Sequence, residues 1–443
     1  MKKYDWYQDS GFKWFETIPT EWSLLRLKDV SKTLSSGATP SSGNMTYYDN
    51  GSINWLNTGD LNDGLITETS KQLNKIVFLD YPNLKIQKKG TLVIAMYGAT
   101  IGKMGILNIE STTNQACCCI DLKNGSSTKF FFYQLLNNKQ NIISLSVGGT
   151  QPNVSQSILG FVKIPVPSLF EQKAIAKYLD AKTETIDKKI NLLENKIGYY
   201  RELRKSIINQ TVTKGLDKNI ASQKNNLGFE TPTIWSKKRL KDIGYLYSGL
   251  SGKSGNDFNQ DDHENNKGFI PFTNIANNTY LKRDHLGTVV IFEGEKQNKV
   301  REGDVFFLMS SEGYDDIGKS AVLAENIEDT YLNSFCKGFR VKRNGCNPYF
   351  LNYLLLSDYY RQLLIIEGKG FTRINLKMEK INDFEVYLPD TISEQIEIAT
   401  YLDHKTQTID KIVSNIQSQI STLKELRKTL INDVVTGKIK VVE

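Results

Sequence analysis

Apolar residues recur every seven positions in two segments of the chain. A second apolar line follows four residues behind each, for example at Ile190 and Val413. A spacing of seven that splits into four and three is the seam of a coiled coil. The pattern predicts two long helices that pair along ten positions: Leu179, Ile186, Leu193, Tyr200 and Ile207 in the first, and Leu402, Ile409, Ile416, Leu423 and Leu430 in the second.

The two segments are copies of one another. Residues 171–214 and 394–437 align without a gap and share 22 identities in 44 positions, whereas about three are expected by chance. Pro167 and Pro389 precede the segments, and Gly215 and Gly437 lie at their ends, as helix boundaries require. The chain therefore contains an internal duplication.

The regions before the two helices repeat more loosely. EWSLLRLKDV from Glu21 matches IWSKKRLKDI from Ile234, and each leads into a Ser-Gly loop. Short β-rich runs alternate with helical ones, which indicates a mixed α and β class. We predict a first domain over 1–167, a helix over 168–215, a polar linker (residues 214–233) and second domain over 216–390, and a final helix over 391–443.

The composition adds a modest preference for anionic partners. The chain has 56 Lys and Arg residues against 49 Asp and Glu residues, a net charge of +7 and a pI near 8.8, and such an excess suits nucleic acid without requiring it. No apolar run reaches the roughly 20 residues that cross a bilayer, and the N-terminus lacks the apolar stretch of a signal peptide. We therefore expect a cytoplasmic protein.

Three consecutive cysteines, Cys117 to Cys119, could suggest a metal site. Neighbouring side chains on a strand point to opposite faces, so these three thiols cannot converge on one tetrahedral ion. They are small apolar residues, and we expect a buried strand with no metal ligand.

Residues 313–320, GYDDIGKS, match the pattern of a phosphate-binding loop. The equivalent stretch of the first domain has a different spacing and no Ser or Thr, and Asp315 and Asp316 would place negative charge beside the phosphates. We therefore favour a turn between strands. Asn347-Pro348 resembles part of the N-P-P-[YF] loop of adenine methyltransferases, but the second proline is missing and the position suits the start of a helix.

The three histidines, His263, His285 and His404, have no histidine at the matching position of the other copy, and we expect them to be exposed. A duplicated enzyme should carry its acid, base or nucleophile in both halves, and the sequence shows no such constellation. We therefore predict no catalytic, cofactor-binding or metal-binding residues on this chain.

With these features the sequence resembles the specificity subunits of type I restriction–modification systems. The helical copies carry the resemblance through I-P-V-P-x-x-x-E-Q from Ile164, Y-L-D, T-x-x-I-D and E-L-R-K, and the domains carry it through I-G-K and the loops GGTQPNVS and GFTRINL. It covers essentially the whole chain. One departure is VYLPD in the second copy, which has one proline where the first has two.

The resemblance implies an α+β fold in which two target recognition domains of mixed α/β content are separated by two long antiparallel coiled-coil helices, with a pseudo-two-fold repeat. The chain would be a non-catalytic subunit of a restriction endonuclease and DNA adenine methyltransferase complex. Each domain would read half of a bipartite site in double-stranded DNA. The helices would dock two methyltransferase subunits, with restriction and translocase subunits outside. S-adenosylmethionine, ATP and magnesium would bind those partners and not this chain.

A helix of about 44 residues is roughly 66 Å long, which suits half-sites separated by about one DNA turn or more. Readout needs side chains at base edges, which loops carry well, although the same polar residues also build turns. The candidate DNA-binding residues are Ser36, Thr39, Tyr97, Lys103, Thr150, Gln151 and Asn153 in the first domain, and Ser248, Ser251, Lys253, Ser311, Lys319, Thr372, Arg373 and Asn375 in the second.

Two other functions stay open at the level of the sequence. A duplicated helical scaffold could bind protein partners rather than DNA, and strong salt dependence of DNA affinity would argue against it. A fragmentary restriction–modification enzyme with hidden catalysis would bind a methyl donor as a lone chain.

Overall fold

A computed structural model of the chain describes residues 2–148, 152–260 and 263–442. The chain forms two compact units, the first made of residues 1–193 with 418–443 and the second of residues 194–417. Each unit contains one globular domain and one part of each long helix. Within the described residues, no helix combines the length and the apolar character that a membrane span needs.

The first domain and the helix that follows it consist of twelve strands and six helices in the described residues. In chain order these are β1 Tyr7–Phe12, β2 Phe15–Pro19, β3 Ser23–Arg26, α1 Leu27–Val30, β4 Ser31–Ser36, β5 Ile53–Leu56, β6 Gly64–Ile66, β7 Lys71–Leu73, α2 Val77–Asp80, β8 Leu92–Ala95, β9 Met104–Leu107, β10 Thr112–Thr113, β11 Cys117–Leu122, α3 Thr128–Asn137, α4 Lys139–Ser144, α5 Gln156–Phe161, β12 Lys163–Val166 and α6 Leu169–Lys214.

A five-stranded sheet in the order β4-β11-β8-β9-β6 forms the centre of this domain. Its strands are antiparallel except for the β6–β9 pair. Both faces of β8 and β9 are buried, which explains the continuous apolar runs LVIA and MGIL. Cys118 belongs to the core on one face, and Cys117 and Cys119 to the core on the other. The predicted buried strand is confirmed, and burial raises the pKa of Cys119 to about 11.

The second domain and its helix follow the same plan. In chain order the elements are β13 Ser222–Lys224, β14 Glu230–Pro232, β15 Ser236–Arg239, α7 Leu240–Ile243, β16 Gly244–Ser248, β17 Asn266–Ile270, α8 Phe272–Asn277, β18 Tyr280–Leu281, β19 Gly287–Val290, β20 Val305–Leu308, β21 Ser310–Ser311, β22 Ser320–Leu323, β23 Thr330–Leu332, β24 Cys336–Val341, α9 Pro348–Leu356, α10 Asp358–Glu367, β25 Ile374–Asn375, α11 Met378–Asn382, β26 Glu385–Leu388 and α12 Ile392–Val435.

The duplication extends to the order of the strands. The large sheet of the second domain runs β16-β24-β20-β22-β18, and its three-stranded sheet β19-β17-β23 repeats the order β7-β5-β10 of the first domain. The strand that follows the short hairpin pairs with the strand before the long helix in each case, as β3 with β12 and β15 with β26. The α+β class and the internal repeat are confirmed.

Helices α6 and α12 pack on one another within each unit. In the first unit Leu179 shares a core with Leu430 and Val434, so the beginning of α6 lies beside the end of α12. In the second unit Ile208 shares a core with Leu402, so the end of α6 lies beside the beginning of α12. The helices therefore run antiparallel. The ten predicted seam residues are all buried or half-buried: Leu179, Leu402, Ile409, Ile416 and Leu430 are buried, and Ile186, Leu193, Tyr200, Ile207 and Leu423 are half-buried.

The stretch predicted as a polar linker is partly structured. Strands β13 and β14 form a hairpin within it, and Phe229 at its turn packs against Tyr359 and Tyr360. The hairpin β1–β2 precedes β3 in the first domain in the same way. The stretch is thus more ordered than its polar sequence indicates, because Phe229 and Leu227 pack on the core of the second unit.

The exposure predicted for the histidines holds for His404 alone. His263 is half-buried and accepts a hydrogen bond at Nδ1 from the Asn265 backbone at 3.1 Å. His285 is half-buried as well and accepts one from the Lys282 backbone at 3.3 Å. Both rings therefore serve as turn acceptors, a local role that a polar sequence context does not reveal.

Candidate nucleic-acid interface

The large sheet gathers the candidate loops of each domain at one of its ends. Strands β4 and β8 both run antiparallel to β11, so both finish where β11 begins. The β8–β9 turn lies at this same end because β9 is antiparallel to β8. In the second domain β16, β20 and β24 have the same relationship. Loops that are far apart in sequence therefore share one edge of each domain.

In the first domain the structure places five of the seven candidates. Ser36 ends β4 opposite Cys118, and Thr39 is exposed in the loop that follows. Tyr97 is half-buried and forms a β-bridge with the exposed Asn153. Lys103 is exposed in the turn before β9. The remaining two, Thr150 and Gln151, lie outside the described residues.

In the second domain the residues after β16 are tied to neighbouring loops. The hydroxyl of Ser248 accepts a hydrogen bond from Lys337 Nζ at 2.9 Å. The backbone of Ser251 exchanges two hydrogen bonds with the side chain of Gln297. The side chain of Lys253 is only 6% exposed, and its ammonium lies 2.7 Å from Glu295 Oε1, which lowers the pKa of that carboxyl. Lys253 must leave Glu295 before it can reach a phosphate.

The other candidates of the second domain meet in a short ladder. Strand β21 pairs with β25, which places Ser310 opposite Asn375 and Ser311 opposite Ile374. Ser311 is buried and accepts a hydrogen bond from the Gly313 backbone at 3.3 Å. Thr372 and Arg373, just before β25, are exposed.

The same ladder exists in both domains. The Tyr97–Asn153 bridge of the first domain corresponds in the repeat to the Ser310–Asn375 pair of the second. Asn153 and Asn375 are both exposed, and Asn375 Nδ2 donates to the carbonyl of Arg373 at 3.1 Å. The duplicated architecture thus presents a polar loop in equivalent positions of the two domains.

Arg361 supports this surface and is a residue that sequence analysis missed. Its guanidinium donates to the carbonyls of Ile317 at 2.6 Å and Asp315 at 3.0 Å. Burial lowers the pKa of Arg361, although Asp316 and Asp315 act in the opposite direction. The side chain holds the loop of residues 313–319 in place. It lies on an amphipathic helix, where nothing in the sequence separates it from a solvent-exposed arginine.

The loop of residues 313–319 has no phosphate-binding geometry. Ser320 begins strand β22, whereas a phosphate loop leads into a helix whose N-terminus faces the anion. Lys319 Nζ lies 2.6 Å from Asp316 Oδ1. The predicted turn between strands is confirmed, as is the helix start at Asn347, whose side chain caps α9 with Pro348 in its first turn.

The repeated motifs of the long helices attach each domain to its helix. Glu171 at the start of α6 is buried and accepts hydrogen bonds from Tyr4 and, at 3.2 Å, from Trp22 Nε1. The side chain of the next residue, Gln172, accepts a hydrogen bond at 2.9 Å from the backbone N–H of Ser127, which caps α3. Further along α6, Asp180 accepts a hydrogen bond at 2.9 Å from the Tyr133 hydroxyl of α3.

The second unit repeats three of these contacts at equivalent positions. Glu394 accepts from Trp235 Nε1 at 3.1 Å, and Gln395 accepts from the backbone N–H that begins α9 at 2.7 Å. The Tyr353 hydroxyl donates to Asp403 at 2.8 Å. The E-Q and Y-L-D motifs thus hold a domain on a helix, a role that their repetition suggested without identifying the partners.

Comparison with known proteins gives these features a family. Residues 19–195 and 232–422, one stretch in each copy, match the model of the type I restriction modification DNA specificity domain. The chain is 23% identical to the type I restriction enzyme MjaVIII specificity subunit of Methanocaldococcus jannaschii, over 98% of this chain and 97% of that protein. It is 26% identical to the MjaIX specificity subunit of the same organism, over 100% of this chain and 99% of that protein.

Solved structures agree on the fold. A chain from a study of complex assembly and conformational transition of the type I R-M system gives a TM-score of 0.73 at 16% identity, covering 95% of this chain and 99% of that one. The HsdS subunit from Thermoanaerobacter tengcongensis gives a TM-score of 0.56 at 17% identity, covering 97% of this chain and 100% of that one. Since the family model matches most of both halves, this protein belongs to the type I restriction–modification DNA specificity family.

Proposed function

We propose that this chain reads a bipartite target in double-stranded DNA, with one half-site for each globular domain. The observation that carries the proposal is the duplicated ladder at the sheet end, Tyr97 with Asn153 and Ser310 with Asn375. Polar loop residues in equivalent positions of two similar domains are suited to reading two short sequences by side-chain contacts to base edges. Loops that differ between the domains would read different bases.

We further propose that catalysis takes place on partner subunits. Two methyltransferase subunits would dock on α6 and α12, and restriction and translocase subunits would join them. S-adenosylmethionine, ATP and magnesium would be bound by these partners. The exposed helix faces support this proposal, because charged and aromatic side chains such as Lys188 and Tyr199 remain accessible on α6.

A scaffold that binds only proteins is the less favoured function. The family match to a DNA specificity domain covers both globular domains and not the helices alone. A scaffold would have no need for matching polar loops at the sheet ends of both domains.

The test is to map DNA methylation in cells that express this chain with its modification subunits. We expect one modified motif made of two short defined sequences separated by a gap of fixed length. In parallel, the affinity of the complex for a duplex carrying this motif should fall steeply with salt, because phosphate contacts release counterions. A continuous motif would contradict the assignment of one half-site to each domain, and methylation without dependence on this chain would contradict its role in recognition.

A further inference from the structure

Phe371 is the most exposed large apolar side chain among the described residues. Its relative exposure is 102%, so both faces and the edge of the ring are open to solvent. It lies between Gly370 and Thr372, immediately before the β21–β25 ladder. A side chain with no packing partner contributes nothing to the folded core, and leaving a phenyl ring in water is unfavourable. The position therefore calls for a function that covers the ring.

Backbone and side-chain contacts brace the loop that carries Phe371. A β-bridge joins Lys369 to Asn375 on either side of it. Gly370 has a φ of 150°, and a Cβ there would lie 1.9 Å from the carbonyl oxygen of Arg373, so no larger residue fits. The Asn375 side chain donates to that same carbonyl at 3.1 Å. The ring is thus presented outward on a braced hairpin.

The surroundings of the ring favour a polyanion. Lys369 and Arg373 flank Phe371, both are exposed, and neither forms an ion pair with another described residue. The Arg373 guanidinium lies 5.4 Å from the centroid of Phe335, which is itself 52% exposed. Cations around a protruding aromatic ring match a phosphate backbone with stacked bases inside it.

We propose that Phe371 is a wedge that inserts at a base step of the half-site read by the second domain. This inference rests on the proposed function. Insertion covers both faces of the ring with flat base surfaces. A contact with a single thymine methyl group would leave most of the ring exposed. Apolar wedges of this kind partly unstack a step and kink the duplex.

The wedge would be specific to one half of the target. The corresponding loop of the first domain, GGTQPN from Gly148 to Asn153, contains no aromatic residue and is two residues shorter than GKGFTRIN. The half-site of the second domain should therefore be distorted, and its sequence preference should include a step that unstacks easily, such as TA or CA.

The experiment uses the full chain in complex with its modification subunits and a duplex that carries the mapped target. The adenine analogue 2-aminopurine is placed in turn at each purine position of the two half-sites, because its fluorescence rises when stacking is lost. A methyltransferase flips its target base out of the stack, so the target adenines of both half-sites should brighten whether or not a wedge is present. With the unaltered chain we expect a further increase at one other step, which lies in the second domain's half-site. Phe371→Ser should abolish this increase and weaken affinity by about 5- to 100-fold, and Phe371→Leu should retain part of both.

Two controls keep the outcome clear. Trp6→Ser removes another ring that is 77% exposed and precedes β1, outside both long helices and the candidate loops; it should leave affinity and fluorescence unchanged. The Phe371→Ser chain should have an unaltered melting temperature, since the ring packs on nothing.

Several results would overturn the wedge. Unchanged affinity and fluorescence in Phe371→Ser would contradict the wedge. Because the target would still be bound, the proposed function would remain intact. Loss of complex assembly with normal DNA affinity of the assembled material would assign the ring to a protein contact instead. If the complex bound no DNA target at all, the proposed function itself would fail, which is a distinguishable result.

Discussion

Arg427 Nε lies 3.0 Å from Asp187 Oδ1, which joins the end of α12 to the first half of α6. Arg204 Nε and Asp410 Oδ1 lie 3.2 Å apart in the second unit. Both the arginines and the aspartates are 223 residues apart in the chain, so the second pair is the first with the two helices exchanged. An antiparallel pairing of duplicated helices requires this reciprocity.

We expect Asp187→Lys to lower the free energy of unfolding by about 1 kcal/mol, since it replaces an attractive pair by a repulsive one at a partly exposed position. Arg427→Glu in the same chain should restore most of the loss. A double-mutant cycle on urea denaturation measures the coupling. A double variant no more stable than Asp187→Lys alone would contradict the pairing.

The seam should tolerate no charge. Ile416 is 4% exposed, and an aspartate there buries a carboxylate at a cost of several kcal/mol, so Ile416→Asp should leave the chain insoluble. The half-buried Leu193 should respond in the same direction to Leu193→Asp. The matched control is Tyr199→Asp, whose parent ring is 77% exposed on α6. Normal solubility of both seam variants would speak against the coiled coil.

The attachment of the second domain to α12 should weaken at high pH. Tyr353 donates to Asp403 and lies 3.1 Å from the Thr406 hydroxyl, and burial raises its pKa to about 12 from a usual value of 10. The folded chain holds this proton more tightly than the unfolded chain does. The associated stability is therefore complete below pH 10 and is lost as the pH rises toward 12.

Tyr353→Phe should lose about 1 kcal/mol at neutral pH through the missing hydrogen bonds. It should also show a shallower decline of stability between pH 10 and 12 than the unaltered chain. Urea denaturation at several pH values measures both, with the exposed Tyr199→Phe as control. An identical decline in the Tyr353→Phe chain would mean that this hydroxyl is not the group that titrates.

The sequence predicts the long helices well because their pattern is local and repeated. The heptad spacing that starts at Leu179 and Leu402 is enough to predict the seam, and its presence in both copies strengthens the prediction. The hairpin β13–β14 escapes prediction since all three residues of β13 are exposed, and the residues that anchor it, such as Phe229 and Leu227, do so through contacts with distant parts of the chain. Local pattern is a reliable guide where burial is periodic and a poor one where a few long-range contacts decide.

The candidate surface was harder to predict for a related reason. Its loops meet only through strand pairing over long sequence distances, such as Ser311 with Ile374. The pairing of Lys253 with Glu295 likewise depends on a partner 42 residues away in the chain. Polar residues can be named as candidates from sequence, but whether a charge is free or already paired is a property of the fold.

Exchange of one domain should change one half of the target. If residues 21–165 are replaced by those of a relative, we expect the half-site of the first domain to change while the other half-site and the gap persist. The reason is that the ladder of Ser310 and Asn375 lies wholly in the second unit. Methylation mapping in cells with the modification subunits measures the result. Changes in both halves would refute the division of labour.

Lengthening both helices should change the gap and nothing else. The divisions between the two units fall after Leu193 in α6 and after Gln417 in α12, so insertions there leave the contacts within each unit intact. Four added residues extend an α-helix by about 6 Å, roughly two base-pair steps at about 3.4 Å each. Such an insertion is a stutter that a coiled coil absorbs by local unwinding.

We therefore expect methylation mapping of the doubly extended chain to show the same two half-sites with a gap longer by one or two base pairs. An insertion in α6 alone should abolish methylation, because the seam would lose its register on one side. As a control, four residues added to the hairpin turn at residues 225–228, which belongs to neither helix, should leave the gap unchanged. A changed half-site sequence in the doubly extended chain would show that the helices take part in reading bases, and an unchanged gap would show that they do not set it.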